Sequence, residues 1–206
     1  MRINIIYVMS KEMKKIAYLI SAAFAIASVL CSTTHVRAES AIPRQADISV
    51  SGIFLSDPES TRKILGTPPV PAESGDDFPV VQVCNSKVTE VLSLVFHHGD
   101  IRDSFNEFRV RNISKLPADC ITLPKEIDHF VTGKGIYLGM SKKDLIKILG
   151  PDFTEKKEGN RLTVHYKIDD FERSSFLKKY NLPTYYGSYD FERDKLVNFA
   201  FGFEYP

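Results

Sequence analysis

The sequence predicts an α+β fold built as two tandem repeats, each a short helix followed by a three-stranded antiparallel sheet, with the helices on one face. Three observations carry that expectation. The chain repeats itself, matching helix start and stop signals sit at corresponding places, and the strands that follow alternate apolar with polar residues. Gly52-Ile53-Phe54-Leu55 matches Gly135-Ile136-Tyr137-Leu138, and Ile64-Leu65-Gly66 matches Ile148-Leu149-Gly150, with Pro68 and Pro151 close behind. The spacing predicts repeat one over 39–115, a connector over 116–126 that holds Cys120, and repeat two over 127–206.

Each repeat opens with a helix signal. Ser56-Asp57-Pro58-Glu59 offers an N-cap, a proline at the first helical position and an early acid. Ser141-Lys142-Lys143-Asp144 has the shape of a capping box with Asp in place of Glu. Each helix then meets a glycine, Gly66 or Gly150, that tolerates the conformation needed to stop it. Leu145, Ile148 and Leu149 share one helix face, as do Ile64 and Leu65 in the first copy.

Strands are expected at 79–84, 89–98 and 104–112, with a turn at His98-Gly99-Asp100, and at 161–168, 185–193 and 196–205, with a turn at Arg193-Asp194-Lys195. In the last of these, Val197, Phe199, Phe201, Phe203 and Tyr205 fall on one side and Asn198, Ala200, Gly202 and Glu204 on the other. Leu162, Val164, Tyr166 and Ile168 likewise oppose Arg161, Thr163, His165 and Lys167. One face is therefore expected to be core and the other open to solvent. Residues 169–181 read as an insertion and a candidate helix, anchored by Phe171, Phe176, Leu177 and Tyr180; residues 67–77 read as a loop.

The N-terminus reads as a secretory leader over residues 1–38. Met13-Lys14-Lys15 is a short basic stretch, Ile16 to Leu30 is apolar and uncharged, and Val36-Arg37-Ala38 fits a cleavage site. The apolar run is short for a membrane span, which takes about 20 residues. The alternatives are an uncut anchor helix and lipid attachment at Cys31, where Leu30 stands in place of the Gly or Ala such a site prefers. Met1, Met9 and Met13 are all candidate starts. The leader carries five of the 27 basic residues and one of the 26 acids, which leaves a net charge of −3 on the mature chain. A mildly acidic chain without a basic stripe argues against nucleic acid and anionic lipid surfaces as partners. Cleavage leaves two cysteines, Cys84 and Cys120, an even count that predicts a disulfide in an oxidising compartment, with two buried free thiols as the alternative.

Gly135-Ile136-Tyr137-Leu138-Gly139-Met140-Ser141-Lys142-Lys143-Asp144-Leu145-Ile146-Lys147-Ile148-Leu149-Gly150-Pro151 resembles the opening of the SmpA/OmlA-like fold. That family begins with a Gly-Met-Ser/Thr turn, a helix and a Leu-Gly-x-Pro stop, then a three-stranded antiparallel sheet. The β-lactamase inhibitory protein looks like two such units in tandem. The first copy departs from the motif, with Ser56-Asp57 where the second has Gly139-Met140. The resemblance implies a fold and a habit of binding proteins. It carries over no catalytic residue.

Nothing in the sequence spells out a reaction. There is no nucleophile elbow, P-loop or zinc-protease motif, and no C-x-x-C. His97-His98 are neighbours on a strand and point to opposite faces, a poor metal pair. Asp169-Asp170 and Glu172 read as a helix-start cluster rather than a catalytic carboxylate pair. No cofactor, metal or enzymatic activity is expected. The parity of the strands nominates the open sheet face as a partner-binding surface: His97, Glu107, Arg109, Arg111, His165, Lys167, Tyr186, Asp190, Asn198 and Glu204, with Val91, Ser93 and Val95 beside them. The expected function is a periplasmic protein-binding inhibitor, in the form of an immunity protein that neutralises a toxic effector enzyme. The alternative is an accessory protein of envelope or outer-membrane assembly.

Overall fold

Strand pairing decides the architecture. The computed structural model describes residues 42–67, 78–98, 104–123 and 127–205, which belong to one compact unit, Ser40–Pro206. The expected leader with Cys31, most of the 67–77 loop and the Gly99-Asp100 part of the first turn lie outside the described residues. The strands are β1 (Ser49–Val50), β2 (Ile53–Phe54), β3 (Val80–Cys84), β4 (Glu90–Val95), β5 (Glu107–Asn112), β6 (Ile121–Thr122), β7 (Thr154–Glu158), β8 (Arg161–Ile168), β9 (Tyr185–Glu192) and β10 (Lys195–Phe203). The helices among the described residues are α1 (Pro58–Leu65), α2 (Lys142–Leu149) and α3 (Ser175–Tyr180). β1 and β2 form a two-stranded ribbon, and the other eight strands form one sheet in the order β6-β3-β4-β5-β10-β9-β8-β7.

This corrects the expected fold class. The chain does not form two helix-plus-three-strand repeats with a layer of helices on one face; it is mostly β, around a single mixed sheet. The reason lies at β5 and β10, the strands expected to end the two repeats. They pair antiparallel, with Arg111 opposite Asn198, Arg109 opposite Ala200 and Glu107 opposite Gly202. Had the copies closed separately, each of these strands would have left a row of unpaired backbone groups at an edge. Joining them removes both edges. β6 then adds parallel to β3, which makes the sheet mixed, and β7 adds antiparallel to β8 at the opposite end.

The helices supply only part of the core. Leu145 and Leu149 from α2 and Phe176 and Leu177 from α3 are buried against the sheet. The rest of that cover is not helical: Ala46, Val50, Ile53, Leu55, Phe130, Ile136, Leu138 and Met140 come from the ribbon and from loops. α1 turns a polar side inward. Its buried residues are Ser60 and Thr61, while Ile64 and Leu65 are half-buried. Ser60 Oγ donates to Asp57 O at 2.9 Å and accepts from Phe54 N at 2.9 Å, so its burial leaves no polar atom stranded. The caps follow the sequence. Asp57 accepts from the amides of Glu59 and Ser60, Ser141 accepts from Asp144 N, and Gly66 and Gly150 end their helices with φ of 75° and 92°.

A strap at residues 43–47 ties the loops to the sheet. Buried Asp47 accepts from Ile48 N at 2.8 Å and Lys134 N at 2.9 Å. Its backbone both donates to and accepts from the Tyr185 hydroxyl, at 2.8 and 2.7 Å. Arg44 donates to the carbonyls of Lys147 and Ile148, satisfying the end of α2. Cys84 and Cys120 form the expected disulfide, with Cα atoms 5.8 Å apart. Among the described residues no helix is long and apolar enough to cross a membrane.

Candidate functional site

Three rows of side chains cross the sheet on the face away from the core. One runs Cys84, Val91, Arg111, Asn198, Asp190, Thr163, Lys156; the next runs Gln82, Ser93, Arg109, Ala200, Ser188, His165, Thr154; the third runs Val80, Val95, Glu107, Gly202, Tyr186, Lys167. The β5–β10 pairing brings the outer faces of both copies into one surface. Of the ten nominated residues, Glu107, Arg109, Arg111, His165, Lys167, Tyr186, Asp190 and Asn198 lie in these rows, and Glu204 lies just past β10.

Openness is another matter. His97 is buried, packed between the rings of Phe78 and Tyr205 at 5.2 and 5.4 Å between centroids. Glu107 is buried as well, and so are Val91, Ser93 and Val95. These residues are corrected from exposed contacts to interior ones. For Glu107 the cause is local: the Arg109 guanidinium pairs with its carboxylate, and the Tyr186 hydroxyl hydrogen-bonds to it. The carboxylate in turn raises the Arg109 pKa above its ordinary value. Burial, then the nearby Glu107 charge, pushes the Tyr186 phenol far above its usual range, so it stays a neutral donor.

The second half of the face is open. Arg111, His165 and Lys167 are exposed; Thr163, Tyr186, Ser188, Asp190, Asn198 and Ala200 are half-buried. Asp190 organises the middle, accepting from Thr163 Oγ1 at 2.8 Å and from Asn198 Nδ2 at 3.0 Å. Arg161 donates to Glu192 across β8 and β9 at 3.1 Å, and Lys167 lies 3.4 Å from Asp169. Arg161, Thr163, Asp190 and Asn198 thus have polar partners along the strands, which leaves their side chains little entropy to lose in any contact.

The pattern reading missed one feature of this face. β10 carries a bulge between Leu196 and Asn198. Leu196 takes the core position opposite Phe191, and Val197, expected in the core, is half-buried and lines a shallow depression with Arg111, Asn112, Arg161, Glu192 and Asn198. Its volume is about 510 Å³. Tyr205, also expected in the core, lies beyond the strand end and is 48% exposed. The extra residue of the bulge puts the alternation out of step only on its near side, so Leu196 rather than Val197 faces the core while Phe199, Phe201 and Phe203 keep their expected places, and nothing in Lys195-Leu196-Val197-Asn198 announces it. Glu90 was also unforeseen. Buried at the start of β4, it accepts from Phe130 N at 2.8 Å and meets His129 Nδ1 at 2.7 Å, which fixes the end of the connector rather than building a reactive pair. Among the described residues no three His, Cys, Asp or Glu side chains gather as metal ligands do.

No protein-family model matches this chain, and no curated protein or solved structure does either.

Proposed function

We propose that this chain is a periplasmic, non-enzymatic binding protein that inhibits an enzyme, in the form of an immunity protein against a toxic effector. The observation that carries the reading is the open half of the outer sheet face. Five neighbouring strands, β5-β10-β9-β8-β7, hold Arg111, Asn198, Asp190, Thr163, His165 and Lys167 on one surface, with Asp190 fixing its neighbours. Strands about 4.8 Å apart and about 20 Å long give roughly 500 Å² in projection. A standard interface takes about 800 Å² per partner, so the occupant also reaches over the rim of the sheet. The leader reading and the Cys84–Cys120 bridge support a compartment outside the cytoplasm. The similarity of Gly135–Pro151 to an inhibitor-bearing family supports the class of activity.

The test is capture and protection together. Periplasm from producing cells is passed over the immobilised mature chain, and the retained enzyme is assayed with and without it. The expected result is stoichiometric retention of one hydrolase or nuclease whose activity falls on binding, and sensitivity to that enzyme in a deletion strain. Retention of no enzyme, with no sensitivity on deletion, overturns the reading.

A further inference from the structure

We propose that the depression around Val197 receives a single carboxylate from the protein partner, an aspartate or glutamate side chain, and that Arg111 is the group that binds it. The inference rests on the partner-binding reading and names the chemistry of its occupant. Two arginines line the depression, and they differ. Arg161 is already satisfied by Glu192 at 3.1 Å. The Arg111 guanidinium is exposed and has no ion-pair or hydrogen-bond partner among the described residues. Its neighbour across the strand pair, Asn198, is held by its amide nitrogen on Asp190, so it cannot swing to compensate. The floor is the half-buried, apolar Val197, turned outward by the bulge.

Charge decides the class of ligand. The depression itself carries two arginines and one glutamate, an excess of one positive charge. Asp190 adds a negative charge beyond Asn198. That balance suits one isolated carboxylate lying beside apolar carbons. It repels a run of phosphates, whose charges would meet Glu192 and Asp190. A guanidinium with both edges free offers a carboxylate two parallel N–H donors, a charge-assisted bidentate pairing stronger than a neutral hydrogen bond.

The experiment uses the mature, disulfide-bonded protein and a small probe. Acetyl-Leu-Glu-amide is titrated while the Arg111 side-chain N–H signal and the Val197 and Asn198 backbone amides are followed by NMR. Acetyl-Leu-Gln-amide serves as the neutral control. The expected result is a shift centred on those three residues with the glutamate peptide, little with the glutamine peptide, and loss of the shift in Arg111→Gln. Equal responses to both peptides, a response centred on the lysines of α2, retention in Arg111→Gln, or a stronger response of the same residues to a thymidine oligonucleotide each overturn the assignment. With a captured partner, Arg111→Glu is expected to weaken binding at least about tenfold while leaving the unfolding midpoint unchanged. Unaltered partner affinity in that variant sinks the carboxylate site and leaves the broader reading standing. A glutamate-specific response at Arg111 in a protein that captures no partner supports the site and sinks the broader reading.

Discussion

The two halves of the sheet share a backbone plan and differ in what they bury. In the first half, β3, β4 and β5 have a hydrocarbon core side, with Val81, Val83, Leu92, Leu94, Phe108 and Val110. Their outer side is closed at β4, where every residue is buried, including Ser93, and at Glu107, sealed by Arg109 and Tyr186, while Arg109 and Arg111 at the β5 seam stay exposed. The second half reverses both features. Its core side carries three tyrosines, Tyr166, Tyr185 and Tyr189, and its outer side is open. A strand buried on both faces can only support, while a strand buried on one can also present. The two halves therefore differ on the outer side: β4 is a buttress, closed on both faces, and the second half is open.

The largest test of this division is at the seam. A Cβ on Gly202 would lie 2.1 Å from Asn106 O and 2.6 Å from Glu107 Cα, both backbone atoms that cannot yield. Gly202→Ala is expected to cost more than about 4 kcal/mol in urea unfolding, or to prevent folding, because it separates the two halves. Next comes the disulfide, which belongs to the first half alone. The Cys84→Ala/Cys120→Ala double variant is expected to lose about 3–4 kcal/mol by loop closure, with hydrogen exchange rising in β3 and β6 more than in β8 and β9. Alkali should act on the second half instead. Burial pushes Tyr166 up to about 12 and raises Tyr185 and Tyr189 well above their ordinary value, whereas the unfolded chain ionises near 10. The folded state keeps the protons, so the stabilisation is whole below pH 10 and drains as pH rises from 10 through about 12. A denaturation midpoint that stays flat across that window contradicts the burial of these phenols.

Paired substitutions on the outer face sharpen the comparison further. Glu107→Ala strands two partners and is expected to cost about 1–3 kcal/mol, toward the lower end because Arg109 is half in water. His165→Ala, on the open side of β8, should stay within about 0.5 kcal/mol. Equal costs would erase the distinction between buttress and presenting face. The smallest effect has the opposite sign. Tyr189 Oη is the one buried side-chain polar atom without a partner among the described residues. Tyr189→Phe is expected to be neutral or slightly stabilising, whereas Tyr185→Phe, which loses both bonds to Asp47, should destabilise by about 1–2 kcal/mol.

Local features were legible in the sequence. The six expected strands, the caps at Asp57 and Ser141, the glycine stops and the Cys84–Cys120 bridge all lie where short-range patterning put them, with ends shifted by up to three residues. So does α3, anchored by Phe176 and Leu177 within the predicted insertion. What the pattern did not carry was long-range pairing. Period-two alternation assigns faces but says nothing about which strand lies beside which, so the fusion of β5 with β10 was invisible. β7 escaped notice because Thr-Glu-Lys-Lys-Glu has no alternation to read. On the candidate site, parity placed Arg109, Arg111, His165, Lys167, Tyr186, Asp190 and Asn198 on one face. It could not tell that Glu107 on β5, and His97 just past the end of β4, would be covered, because burial of an outer face depends on neighbours from elsewhere in the chain. The bulge at Val197 has no signature in its residues, and it created the depression.

β7 carries a last consequence. It is one of the two edges of the eight-stranded sheet among the described residues, and all five of its residues are exposed. A bare edge of that length is a template on which copies of the chain would stack into aggregates. Here Lys156 and Lys157 sit mid-strand between Glu155 and Glu158, so a second copy docking edge to edge would set lysine against lysine or strip both of water. The same five residues that hid the strand from pattern reading have the composition of gatekeepers, charge placed where an edge would otherwise invite pairing.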